Sequence, residues 1–101
     1  TFSAKTDSTT ITVTDTSHGA QENDFVTFSG AVSLGGTITA TVLNKEYQVV
    51  SVPSANTYTI TSAIAANSSD TGNGGGSVVG TYQIGVGQSS WRKWMGRRIL
   101  G

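Results

Sequence analysis

The stretch TDTSHGAQENDFVTFSG (residues 14–30) holds the only histidine of the chain, His18, close to Asp15, Glu22 and Asp24. An imidazole beside carboxylates is the raw material of a general acid–base pair or of a metal centre. The spacing supports neither. Metal binding needs two or three further ligands, and there is no second histidine and no cysteine. A calcium loop places its oxygen ligands at alternate positions around a glycine turn, a pattern these acids do not follow. Histidine tolerates left-handed backbone angles better than most residues, and Gly19 follows it, so the segment is expected to be a turn between two strands.

Other candidate chemistry is equally thin. The run GNGGG at 72–76 could cradle a phosphate only if it led into a helix N-terminus, usually with a lysine. Here SVVGTYQ follows, a strand pattern without lysine, and the run reads as a loop. Serines and threonines abound, but no GxSxG elbow is present and the single histidine is the only base a serine nucleophile could use. No catalytic residue, no cofactor and no metal site are therefore expected, and the chain is not expected to be an enzyme. Scattered Asp, Asn and Thr side chains leave open a sugar or an adventitious calcium ion as ligand.

The elements that would position these residues are strands. Residues rich in Thr, Val and Ile fit a pleated surface, and only 12% of the chain is charged. Period-2 alternation marks segments 9–14 (TTITVT), 25–29, 37–43 (TITATVL), 46–52, 57–62 and 77–86. Of these, 37–43 alternates most cleanly, with Ile38, Ala40 and Val42 on one face. Asn44-Lys45 is expected to be a two-residue turn with Asn44 at positive φ, and Pro53 to stop the fourth strand. Six short strands with turns at intervals near ten residues predict a small antiparallel β-barrel or sandwich. Its expected core is Ile11, Val13, Val26, Phe28, Ile38, Val42, Tyr47, Val49, Tyr58, Ile60, Tyr82 and Ile84.

The chain of 101 residues suits one small domain, read here as residues 1–88, followed by a basic tail over 89–101. The formal net charge of zero hides a division. Arg92, Lys93, Arg97 and Arg98 lie in the last eleven positions, which hold no acid, whereas the body holds all six acids and only two lysines. Trp91, Trp94, Met95 and Ile99 recur at helical spacing between these basic residues, a pattern shared by membrane-surface and nucleic-acid helices. Gly96 and the short length weaken such a helix. Packing on a neighbouring subunit through Trp91, Arg92, Trp94 and Arg97 is the favoured reading, with no nucleic-acid partner expected. No stretch approaches the roughly 18 apolar residues of a membrane span, and no signal peptide is expected.

The ordered set ITVTDTSHGAQENDFVTFSG, NKEYQVVSVPSANTYTIT and VVGTYQIGVG resembles a recurring module of bacteriophage tail and virion proteins. That module is similar to the first catalytic-cysteine half-domain of ubiquitin-activating enzyme, a β-barrel spacer. The resemblance rests on His18-Gly19, Asp24, Val26, Phe28, Gly30, the Asn56–Thr59 strand and Tyr82–Gly87, and it covers residues 9–87. Where the family often has glycine before Asp24, this chain has Asn23, the next best residue for positive φ. The tail departs from the family's Trp- and Gly-rich continuation. A one-base shift of its back-translation permits that pattern, which implies a reading-frame change near residues 85–91.

The resemblance implies a non-enzymatic structural part of a phage particle, at the tail or its tip, with other virion proteins or copies of itself as partners. It implies no ubiquitin chemistry, since the chain has no cysteine. A host-surface glycan-binding β module is the alternative, served by Thr-rich faces and the 63–76 loop.

Overall fold

The computed structural model describes residues 2–16, 18–67 and 78–83 and the backbone of 96–100. Its elements in chain order are β1 (Phe2–Ala4), β2 (Thr10–Thr14), β3 (Phe25–Ser29), α1 (Ala40–Leu43), β4 (Glu46–Gln48), β5 (Ser51–Ser54), β6 (Thr57–Thr61), β7 (Val78–Gln83) and β8 (Gly96–Leu100). They form two four-stranded sheets, ordered β1-β2-β6-β5 and β4-β3-β7-β8, in which every neighbouring pair is antiparallel. The all-β fold expected from the sequence is present, with eight described strands in place of six.

Alternation decides which side chains enter the space between the sheets. β2 and β6 turn Ile11, Val13, Tyr58 and Ile60 inward, paired as Ile11↔Ile60 and Val13↔Tyr58. β3, β4 and β7 contribute Val26, Phe28, Tyr47, Val78 and Tyr82 from the opposite side. Aromatic edges meet across the gap, with Phe2 against Phe28 at 5.0 Å between ring centres and Tyr58 against Tyr82 at 6.0 Å, both near perpendicular. Such T-shaped pairs place a positive ring edge on a negative ring face. Of the expected core, Ile84 lies outside the described residues and Val42 is only half-buried against the core; the others are buried.

The segment that alternates most cleanly is not a strand. Residues 40–43 form a single helical turn, because Thr39 caps it: its Oγ1 accepts the Val42 N–H at 3.3 Å. The turn buries Leu43, Ile38 is buried just before its cap, and Ala40 and Val42 lie at its rim. Seven alternating residues are thus a connection folded back on itself between β3 and β4. The Asn44-Lys45 turn also differs from expectation. Asn44 has φ −82° and closes the helix, while its side-chain amide pairs with both the N–H and the C=O of Ala31, each at 2.9 Å. Side-chain pairing with a loop backbone, not left-handed geometry, is what requires asparagine there.

Residues 46–52 supply two strands in different sheets. The crossing falls at Val49 and Val50, where the Val49 N–H donates to the Asp24 carbonyl and the Val50 N–H to the Thr59 carbonyl. A strand that leaves one sheet for the other makes a corner of the sandwich. Pro53 does not stop the strand; it lies within β5, an edge strand, where the register slips between Ser51 and Ser54. An edge position in an irregular stretch is where proline's missing N–H is tolerated. Asn23 does adopt the positive φ expected of it, 73°. β1 lacked a sequence signal because three residues are too few to show a period. β8 falls in the segment read as a tail, and its five residues are strand, not helix.

Replacing Asn44 with alanine leaves a half-buried loop N–H and C=O without their partner. The expected cost is about 1–3 kcal/mol, read as a lower urea midpoint; an unchanged midpoint would refute the role given to this amide.

Candidate functional site

His18 sits where β2 gives way to the connection into β3, and it is 1% exposed. Gly19 beside it has φ 71°, which makes the turn. The Ala20 N–H donates to His18 Nδ1 at 2.9 Å, so Nδ1 is the unprotonated nitrogen. Nε2–H then donates to the carbonyls of Thr57 (3.0 Å) and Ser54 (3.2 Å) across the β5–β6 hairpin. The imidazole edge also meets the Tyr58 ring at 5.1 Å. Both ring nitrogens are engaged with backbone, which leaves this imidazole no lone pair for a substrate or an ion. Two further bonds fasten the same contact, from Asp15 N to the Asn56 carbonyl (2.8 Å) and from His18 N to the Ala55 carbonyl (3.2 Å). His18 is a rivet between a turn and a hairpin.

The acids near it have different tasks. Asp24 is fully buried; its Oδ2 accepts the Gln21 N–H at 2.8 Å and so closes the 21–24 turn. Asp15, also buried, accepts the Tyr82 hydroxyl at 2.7 Å, and Tyr82 in turn shares a 2.8 Å hydrogen bond with the Tyr58 hydroxyl. This Asp15–Tyr82–Tyr58 chain joins the end of β2, β7 and β6, and hence both sheets. Burial, with Tyr58 and Asp15 close by, holds the Tyr82 hydroxyl far above the ordinary tyrosine range. Gly80 makes room for this ring, since a Cβ there would lie 3.3 Å from the ring edge and from Val26. Tyr47, whose hydroxyl donates to the Val42 carbonyl, is also shifted up by burial. Neither the aspartate–tyrosine chain nor the backbone bonds of His18 left a mark in the sequence beyond the residues themselves, because their partners lie far along the chain.

Among the described residues no three His, Asp or Glu side chains gather where one ion could bind them. None of the described helices is long and apolar enough to cross a membrane. Of the residues expected to touch a partner, Trp91, Arg92 and Trp94 lie outside the described residues, as does the GNGGG run. Arg97 lies in β8, its backbone opposite Thr81 of β7.

The outer face of the β1-β2-β6-β5 sheet is an array of hydroxyls. Across the strands Ser3, Thr12, Thr59 and Ser51 form one row, Thr10 and Thr61 a second, and Thr14, Thr57 and Ser54 a third. Ser51 pairs with Thr59 at 2.7 Å and Ser54 with Thr57 at 2.9 Å between side-chain oxygens. None of these positions carries charge.

No family model matches the chain, and no curated protein matches it. Among solved structures it is similar to part of the phage phi92 endosialidase, at 27% identity and a TM-score of 0.55, over 83% of this chain. The matched part is 10% of that protein, so the chain spans about a tenth of its length. The β module described above is thus of a kind found within a phage protein.

Tyr82→Phe removes the central hydroxyl of the buried chain and leaves Asp15 short of a donor; a stability loss of about 1–3 kcal/mol is expected, measured by denaturant unfolding. Alkali has a defined effect too. Tyr82 and Tyr47 keep their protons in the folded state beyond pH 10, where the unfolded chain releases them. Their contribution is complete below about pH 10 and is lost as pH rises above it, by up to about 1.4 kcal/mol per pH unit for Tyr82. A thermal midpoint that stays level or rises across that range would contradict the burial of these hydroxyls.

Proposed function

We propose that this chain is a non-enzymatic structural module of a bacteriophage virion, of the tail, that acts through protein–protein contacts. The observation that carries the reading is the likeness to part of the phage endosialidase over 83% of the chain. The finer kinship with the half-domain module rests on the residues that make this body's turns, His18-Gly19, Asn23-Asp24 and Gly30. Asp24 closes its turn and His18 rivets its hairpin, so the signature residues are fold-determining ones. The histidine, the two buried aspartates and the tyrosines are spent on internal bonds. What the body offers outward is β edges and loops.

A second reading, attachment to a host-surface glycan, is favoured by the uncharged hydroxyl array on the β1-β2-β6-β5 sheet. Hydroxyl rows can exchange hydrogen bonds with a sugar, but no aromatic side chain stands among them to stack on one.

Antibody labelling of purified particles of the encoding phage, read by electron microscopy, is expected to mark the tail. Absence of the chain from purified particles defeats the virion reading. Binding of the isolated protein to a glycan array, abolished by Thr12→Lys, would move the assignment to the second reading.

A further inference from the structure

The imidazole of His18 joins two segments by the two sides of its ring. Nδ1 accepts the Ala20 N–H at 2.9 Å on its own turn, and Nε2–H donates to the carbonyls of Thr57 and Ser54 at 3.0 and 3.2 Å on the β5–β6 hairpin. The arrangement works only for the neutral ring, which has one acceptor and one donor. A second proton goes to Nδ1 and turns that acceptor into a donor, so that two N–H groups face each other at Ala20. It also puts a full positive charge on a ring that is 1% exposed, and burial opposes charge. Gly19, with φ 71°, lies between the two ends of the Nδ1 bond and gives the turn its freedom to rearrange. The ionisable groups around the ring are few. β6 turns Tyr58 to it, the ring centres 5.1 Å apart, and the hairpin residues Ser54, Ala55 and Asn56 carry no ionisable side chain. β2 leads into Asp15, whose Oδ2 takes the Tyr82 hydroxyl. The connection to β3 holds Glu22, exposed, and Asp24, whose Oδ2 takes the Gln21 N–H.

We propose that His18 is an acid-operated catch: uptake of a second proton frees the turn at residues 18–20 from the β5–β6 hairpin while the two sheets keep their core. Two backbone bonds share the contact, from His18 N–H to the Ala55 carbonyl (3.2 Å) and from Asp15 N–H to the Asn56 carbonyl (2.8 Å), and they open with it. The sheets are joined elsewhere, by Phe2 against Phe28 and by the hydrogen bond between the Tyr58 and Tyr82 hydroxyls. Phenylalanine does not titrate, and tyrosine hydroxyls hold their protons throughout the acid range. Local opening of a turn at the end of a sheet needs no global unfolding. Carboxylates ordinarily take up protons at lower pH than an imidazole does, so the opening is governed by His18.

The test is NMR of the isotopically labelled full chain from about pH 8 to about pH 5, the range in which imidazoles ordinarily change charge. His18 is the only histidine, so its ring nitrogens report protonation directly. Amide exchange, corrected for the intrinsic effect of pH, is read at Ala20, His18 and Asp15, the backbone donors of the contact. It is read also at Ser62, whose N–H donates to the Thr9 carbonyl at the other end of the β2–β6 pair. Protection at the contact is expected to fall about tenfold or more as the ring takes its proton, with Ser62 unchanged. Protection that stays level through protonation overturns the proposal, as does a ring that remains neutral over the whole range, or a loss at Ser62 in step with the others. His18→Gln keeps an acceptor and a donor without titrating. Its contact amides are expected to hold level over the same range, and a loss equal to that of the unaltered chain overturns the proposal. Should that variant fail to fold, the unaltered chain decides alone, since each of its outcomes is read against the signals of the ring itself.

Discussion

Two sheets that meet through aliphatic side chains alone can slide over one another at little cost, because hydrophobic contact has no direction. Here the Asp15–Tyr82–Tyr58 chain supplies the direction. Each hydroxyl has a partner at hydrogen-bond distance inside the core, so a shift of either sheet by one position strands buried polar groups. The three residues come from three elements, and the geometry of one fixes the others. Gly80 belongs to the same arrangement, since a Cβ there would stand 3.3 Å from the ring of Tyr82, closer than ordinary van der Waals contact. His18 extends the constraint to the surface by fixing the β5–β6 hairpin against the turn after β2. The polar residues that first suggest chemistry thus decide how the layers register.

That division explains what could be read from the sequence. The inward sides of β2, β3, β6 and β7 were legible because half-buried strands must alternate, and Ile11, Val26, Phe28 and Ile60 lie where the alternation puts them. The same rule misled at 37–43. A short connection that buries Ile38 and Leu43 also places apolar residues among threonines, and only the Thr39 cap separates the two cases. The run 46–52 concealed its change of sheet because both halves alternate and the corner at Val49–Val50 adds no turn residue. Asn23 was legible through its local backbone demand, whereas Asn44 answers to Ala31, thirteen positions away. Local requirements show in a sequence; distant partners do not. For the same reason His18 was readable as a turn residue but not as the owner of three backbone bonds.

The functional reading follows from where the chemistry goes. The described titratable interior groups of this body are committed to backbone and to one another, and it presents main-chain edges and neutral hydroxyl rows to its surroundings. Such a body suits repeated use within larger proteins, consistent with a match confined to a tenth of a phage enzyme's length. The C-terminal strand β8, which carries Arg97 and Arg98, lies at the edge of its sheet and pairs with β7.

The strand order also bears on how the chain reaches this state. β2 finds its second neighbour only in β6, and β3 finds its own in β7, so the first sheet closes at Thr61 and the second only near the end of the described strands. Sequence-distant pairings of this kind slow folding toward the millisecond-to-second range typical of β-sandwiches. Until β6 and β7 are made, one edge of β2 and one edge of β3 lack the neighbour they have in the finished sheets. In the meantime that edge of β2 is flanked by the polar side chains of Thr10, Thr12 and Thr14, which lie on the outward face of the strand.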